Sequence, residues 1–401
     1  MTKALRTDWF MFGIAAGLAL FGALMVYSAS AMMAMRESGD ASQYTYFFKQ
    51  IIFVAIGIGG MIAASRLDYH VYQRPWVIVG ILAVTVIALF AVFAFPAING
   101  ATRWIRFGGF SFQPSELAKI ALPMFLAYYL TRNEDRVGEV KSTVLPCLGG
   151  LAVLGGLVLA EKDLGTTIVL CAIFSAVYFA AGARLIHIGI VGAGLVAIGA
   201  AAIFLAPWRV ARIMAFLDPF KYSDDEGYQV VQSLYAIGSG GIFGEGFAKG
   251  QQKLFYLPYP YSDFIFSVVG EELGLIGTLG VVVAFALLLW RGAKAALSAR
   301  DRFGTLLGIG LITGIIAQAL FNISVVISIL PAKGIPLPFI SYGGSSVLLT
   351  LIAVGILMNI SRSGVGSSAL TFGLADDAGG PRATRGSQRP RRKGQRPHFA
   401  R

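Results

Sequence analysis

Carboxylates and cations stand at a few points in an otherwise apolar chain, and their spacing limits the chemistry they could do. Asp263 opens the apolar run "DFIFSVVGEELG", which also holds Glu271 and Glu272. Glu116 and Lys119 lie three residues apart in "QPSELAK", on one face of a helix. Glu161, Lys162 and Asp163 share a short turn, Lys333 lies among prolines and glycines, and Arg103, Arg106 and Arg212 sit in polar connections. Carboxylates of this kind can act as a general base, and cations can hold an anionic group. Each has a plainer explanation. Asp263 can sit in the first turn of a helix capped by Ser262, and on composition alone cap and catalyst are evenly matched. Glu116 is favourable in a first turn begun by Pro114. Lys119, entering an apolar segment, is less easily dismissed. Glu271 is eight residues beyond Asp263, about 12 Å deeper along a continuous helix. It and Glu272 are expected to pair with a cation or backbone donors in the bundle interior, or to lie on a proton path. Charges in the Glu161–Asp163 turn are expected at the surface.

The elements that carry these residues are membrane helices. The 401 residues are 56% hydrophobic and only 13% charged, with net charge +12 and mean hydropathy +0.71. Long apolar segments in such a chain span a bilayer, so the positive charge is read by side of membrane and not as a nucleic-acid surface. Ten spans are expected: 9–32, 48–65, 76–96, 115–131, 143–160, 164–181, 185–206, 263–290, 303–330 and 342–361. The first resembles a signal peptide followed by "SASA", but its length suits an uncleaved span. Lys and Arg are in excess on the side of both termini, which places both ends in the cytoplasm. His70, His187 and His398 then fall on that side, and a general base on the other face must be a carboxylate, or failing that a tyrosine or lysine. Cys147 and Cys171 lie in apolar segments and suggest no disulfide or metal framework.

The fold class expected is therefore an all-α polytopic membrane protein with a large outer loop, about 207–262, between helices seven and eight. A short helix is expected at 228–237, followed by glycines (Gly238, Gly240, Gly241, Gly244, Gly246) that serve turn geometry or, less well, a phosphate nest. Residues 332–341 are expected to dip back into the protein. The chain divides into a membrane domain, 1–362, and a disordered basic cytoplasmic tail, 363–401, rich in Gly, Pro, Ser and Arg.

Five stretches in order, "RWIRFGGFSFQPSELAK", "DLGTTIVL", "GYQVVQSLYAIGSGGIFGEGF", "KLFYLPYPYSDFIFSVVGEELG" and "LPAKGIPLPFISYGGSS", resemble the SEDS family (FtsW/RodA) of bacterial cell-wall synthesis, and its division branch more than its elongation branch. The resemblance implies an inverting peptidoglycan glycosyltransferase that polymerises lipid II at the septum and releases undecaprenyl pyrophosphate. It implies a multi-pass protein of the inner membrane, partnered by a class B penicillin-binding protein (an FtsI-type transpeptidase) and other divisome proteins. Asp263 matches the family's essential aspartate. Glu116 and Lys119, Asp163 and Lys333 match its other charged positions. Lys119 and Lys333, with Arg103, Arg106 and Arg212, are then candidates to hold the pyrophosphate. A divalent cation, Mg2+ or Mn2+, could share that role at Glu116 or Asp163, and no organic cofactor is expected. The sequence departs from the family at Lys162, commonly Pro, and at Tyr261 and Ser262, often His-Thr. Alternatives are a lipid II flippase, an elongation-type polymerase and a non-enzymatic scaffold for a transpeptidase.

Overall fold

The protein is described by a computed structural model covering residues 8–37, 42–97, 100–107, 110–183, 207–225 and 227–363, with scattered helical positions at 186–204. The helices are α1 Trp9–Glu37, α2 Thr45–Arg66, α3 Pro75–Ala91, α4 Pro114–Arg132, α5 Leu145–Ala160, α6 Leu164–Ala180, α7 Pro207–Leu217, α8 Tyr228–Gly240, α9 Ile265–Leu297, α10 Arg302–Val326 and α11 Gly344–Ser363. A two-stranded antiparallel hairpin, β1 Ile105–Phe107 and β2 Phe110–Phe112, precedes α4. Nine of the ten expected spans coincide with helices. The seventh, 185–206, falls mostly outside the described residues, as does the tail from 364 onward. Seven described helices are long and apolar enough to cross a membrane.

Amphipathicity does not organise this bundle, because apolar residues surround each helix. Large apolar side chains fill the centre, with buried polar residues among them. α10 and α11 are the most enclosed spans, packed against α2, α4, α6 and α9. α3 turns Trp76, Val79, Val84, Ile87 and Phe90 outward. The segment between α10 and α11 enters the core without regular structure: Ile335, Leu337, Phe339, Ile340 and Ser341 are all buried. Its backbone groups find side-chain partners. Gln318 Nε2 donates to Pro336 O at 2.8 Å, Asn322 Nδ2 to Ile335 O at 2.7 Å, and Leu337 N to Ser341 Oγ at 2.7 Å. Irregular backbone at depth survives only with such partners.

One expectation needs correction. α9 is not one continuous span from Asp263 inward, because it breaks at Gly274, where φ is +63°. Residues 265–272 are buried in protein, whereas Leu275, Ile276 and Leu279 face outward. The part after the break is long enough to cross a bilayer alone, at about 1.5 Å per residue. Glu271 and Glu272 therefore belong to a short buried helix that ends at the break, with Glu271 about two turns along it from its start. The glycine-rich loop after α8 fills the break. Glu245 N and Gly246 N donate to the carbonyls of Glu271 and Glu272 at 2.9 and 3.0 Å, and Leu275 N to Gly241 O at 2.9 Å. A Cβ on Gly244 would lie 2.2 Å from Glu272 O. Close backbone approach accounts for that glycine without a phosphate.

Candidate active site

Four helix N-termini meet at one end of the bundle, those of α4, α6, α9 and α11. Gln113, just before α4, donates its backbone N–H to Ser345 Oγ of α11 at 3.2 Å and its side-chain amide to Asp163 Oδ2 at 3.1 Å. Asp163 caps α6, accepting from Thr166 N at 3.1 Å and Thr166 Oγ1 at 2.8 Å. Ser341 Oγ donates to Ser262 O at 2.7 Å, and Tyr342 N to Tyr261 O at 2.9 Å, joining the approach to α11 to the approach to α9. The positive ends of these helices make the mouth favourable to an anion.

Asp263 stands in this mouth. It does not occupy the first turn of α9, as expected from Ser262 capping. Phe264 is at the N-cap, and Ser262 Oγ instead donates to Asp263 Oδ1 at 2.9 Å. Asn322 Nδ2 donates to the Asp263 carbonyl at 2.7 Å, pinning its backbone to α10. Gly334 passes so close that a Cβ there would be 2.8 Å from Asp263 Oδ2 and 3.9 Å from Arg103 Nη1. A side chain at 334 would cover the carboxylate. Burial pushes the Asp263 carboxyl above the usual carboxylate range. The Ser262 hydroxyl and Arg103 pull it back, and Asp163 adds to the rise.

Arg103 is half-buried and donates from Nη2 to the Lys162 carbonyl at 2.5 Å. Lys162 adopts φ +64° and sends its own ammonium to Gly100 O at 2.8 Å. The turn around it is not the solvated loop expected from its charges, for Glu161 and Asp163 are 0% and 2% exposed. Neither Glu161 carboxyl oxygen has a hydrogen-bond partner. Burial, then Asp163, push this group up to about 8, with Arg103 opposing.

Glu116 and Lys119 form an ion pair at 2.7 Å, both nearly enclosed. Lys119 also donates to Gln318, the residue that holds Pro336, so the pair braces the α10–α11 segment. A cavity of about 20 Å³ beside them has room for one water. Lys333 is half-buried next to Gly334, Arg106 is exposed on β1, and Arg212 is half-buried in α7.

Glu272 Oε1 takes Lys253 Nζ and Ser28 Oγ, each at 2.5 Å, and its Oε2 takes Ala248 N at 2.9 Å. Glu271 Oε1 takes Gln251 N at 2.6 Å and Gln252 N at 3.0 Å. These two carboxylates hold the loop that leads to Asp263. Lys253 escaped sequence reasoning because nothing in its loop signals burial. Its one trace was the need of Glu272 for a cation.

Among the described residues, no group of three or more His, Cys, Asp or Glu side chains could hold a metal ion. Asp163 accepts from three donors, and Glu116 faces the Lys119 ammonium.

The helical bundle and its carboxylate mouth define a polytopic membrane protein. The sequence matches the cell cycle protein family FtsW/RodA/SpoVE over residues 8–365, and the chain belongs to that family. A relative from Trichlorobacter lovleyi, described as a probable peptidoglycan glycosyltransferase FtsW, is 43% identical, covering 86% of this chain and 90% of that protein. Stage V sporulation protein E of Bacillus subtilis is 38% identical over 90% of this chain and 98% of its own. Among solved structures, a chain of a peptidoglycan synthase complex that coordinates polymerization and crosslinking superposes with TM-score 0.73 at 26% identity, covering 90% of this chain and 99% of that one. Thermus thermophilus RodA superposes with TM-score 0.66 at 25% identity, with the same coverage.

Proposed function

We propose that this protein is a peptidoglycan glycosyltransferase of the division type, polymerising lipid II on the outer face of the inner membrane at the septum, with both termini cytoplasmic. The observation that carries the reading is the placement of Asp263. It is the acidic group beside Arg103 and Gly334, in a mouth built from four helix N-termini.

The reaction needs a base for an alcohol and positive potential for a pyrophosphate. The acceptor 4-hydroxyl gives its proton to an Asp263 carboxylate oxygen. Its oxygen bonds to the donor anomeric carbon, and the bond from that carbon to pyrophosphate oxygen breaks, the electron pair leaving with the undecaprenyl pyrophosphate. Direct displacement inverts the anomeric centre. The leaving group is already acidic, so charge stabilisation replaces a general acid, and one carboxylate suffices where a glycosidase uses two. A carboxyl held above its ordinary range is a stronger base than a solvated aspartate. Arg103 and the helix N-termini supply the positive potential, with Lys333 beside Gly334 as the nearest further cation in sequence. Arg106 and Arg212 are assigned outer contacts with the substrate. Lys119 is assigned a bracing role, since its ammonium is committed to Glu116 and Gln318.

A class B penicillin-binding protein is the partner that suits this reading, because a structural neighbour belongs to a complex coordinating polymerization and crosslinking. The test is polymerisation of fluorescent lipid II by the purified protein in liposomes, with its transpeptidase blocked at its own active site. Glycan strands support a polymerase. Transbilayer movement of lipid II without strands supports a flippase instead.

A further inference from the structure

Two side chains at the site have buried polar atoms without partners and lie on either side of one bond. Arg103 Nε is a buried donor without an acceptor, and Glu161 Oε1 and Oε2 are buried acceptors without a donor. The guanidinium is tied by Nη2 to the carbonyl of Lys162, the residue next to Glu161. Its other end lies by Gly334, against which Asp263 Oδ2 packs. A native fold seldom leaves both a donor and an acceptor orphaned in one neighbourhood, since each unmet group costs on the order of 1–3 kcal/mol.

We propose that Glu161 is a positioning residue: the second seat of the Arg103 guanidinium, which draws it away from Asp263 when the base must act. This rests on Asp263 being the base. In the structure Arg103 stands near Asp263, and a nearby guanidinium makes a carboxylate a weaker base. In the second seat Nε donates to a Glu161 oxygen, the guanidinium charge draws the Glu161 carboxyl down so that it ionises as the pair forms, the orphaned donor is satisfied, and Asp263 gains basicity. The pivot point is Lys162, the residue after Glu161, whose carbonyl already holds Nη2. The charged groups bearing on Asp263 are Arg103 from the segment before β1 and Asp163 from the α5–α6 turn. Lys333 flanks Gly334, and Glu271 and Glu272 of α9 are engaged by their own loop. Asp163, with three donors, is not available as a seat.

The experiment is the pH profile of lipid II polymerisation by the full-length protein with its blocked transpeptidase. Glu161→Gln, Glu161→Asp, Arg103→Ala and the double variant Glu161→Gln/Arg103→Ala are compared. Glutamine matches the neutral acid in shape but cannot draw the cation. The expected result is an acid limb displaced to lower pH by about one unit, a tenfold change in proton concentration, with kcat reduced and KM unchanged. Glu161→Asp keeps the acid limb where the wild type has it, a rescue that a packing role does not give. In the Arg103→Ala background Glu161→Gln adds no displacement. An acid limb unmoved by Glu161→Gln, or moved equally with and without Arg103, overturns the proposal. If Asp263→Asn polymerises like wild type, the base assignment itself has failed, and that outcome is distinct from either of these.

Discussion

Replacing Lys253 with methionine isolates the force that holds the loop before Asp263. Lys253 is 6% exposed and its ammonium meets Glu272, which is fully buried, and Ser28. Removing one member of a buried pair costs about 3–5 kcal/mol, because the remaining charge is left uncompensated. Glu272 keeps Ser28 Oγ and Ala248 N, so the lower end applies. A loss of about 3 kcal/mol lowers protection of amides exchanging by local opening roughly a hundredfold, at about 1.4 kcal/mol per decade. Hydrogen exchange in lipid nanodiscs reads this directly at Gly246 and Ala248, the amides bonded to Glu272. Adding Glu272→Gln removes the stranded charge and restores most of the protection. Unchanged protection in Lys253→Met, or a double variant as labile as the single one, refutes the reasoning.

Gly274→Ala places a Cβ about where Gly244 N and Ile242 O stand, 2.5 Å away, at φ +63°. It is expected to lower the yield of folded protein sharply, whereas Gly280→Ala, with open space around it, leaves the yield unchanged. The pH dependence follows from the raised Asp263 carboxyl: the base is lost as pH falls, so polymerisation declines at a pH above that of an ordinary aspartate, and a rate–pH profile locates it. Glu161 has the opposite consequence for stability. Its folded value of about 8 exceeds the ordinary 4.5, so the stability it lends below pH 4.5 is lost as pH rises to 8. Glu161→Gln is therefore expected to stabilise the protein at pH 8 and to change nothing at pH 4; thermal melts at both pH values check this. Asn322→Ala frees the carbonyls of Asp263 and Ile335 and is expected to lower kcat while leaving KM nearly unchanged, as steady-state assays resolve.

Nine helices were legible because an unbroken apolar run is a strong signal, and polar residues inside such a run, Glu271 among them, announce partners. The break at Gly274 was not legible. A glycine within an apolar helix looks tolerable until the loop that fills the break is known, and that loop is fixed by backbone contacts that no side-chain pattern records. Asp263 was visible by type and position, but its local geometry was not, since Ser262 serves the carboxylate instead of the helix. Glu161 was the largest miss. Three charges in a short turn read as solvated, and only the fold shows that this turn is roofed by the α10–α11 segment, where Ile335 packs against Gly165. Lys119, named from the sequence as a candidate to hold pyrophosphate, is paired in the structure with Glu116 and Gln318.

The central claim is that Asp263 takes the acceptor proton, and the direct measurement is strand formation from lipid II by wild type and Asp263→Asn. Both are purified with the blocked transpeptidase and shown to be folded by their melting temperatures. Asparagine preserves the size of the side chain and the Ser262 contact while removing basicity. The account predicts glycan strands from wild type and none from Asp263→Asn, with lipid II still bound. Equal strand formation by both proteins contradicts it.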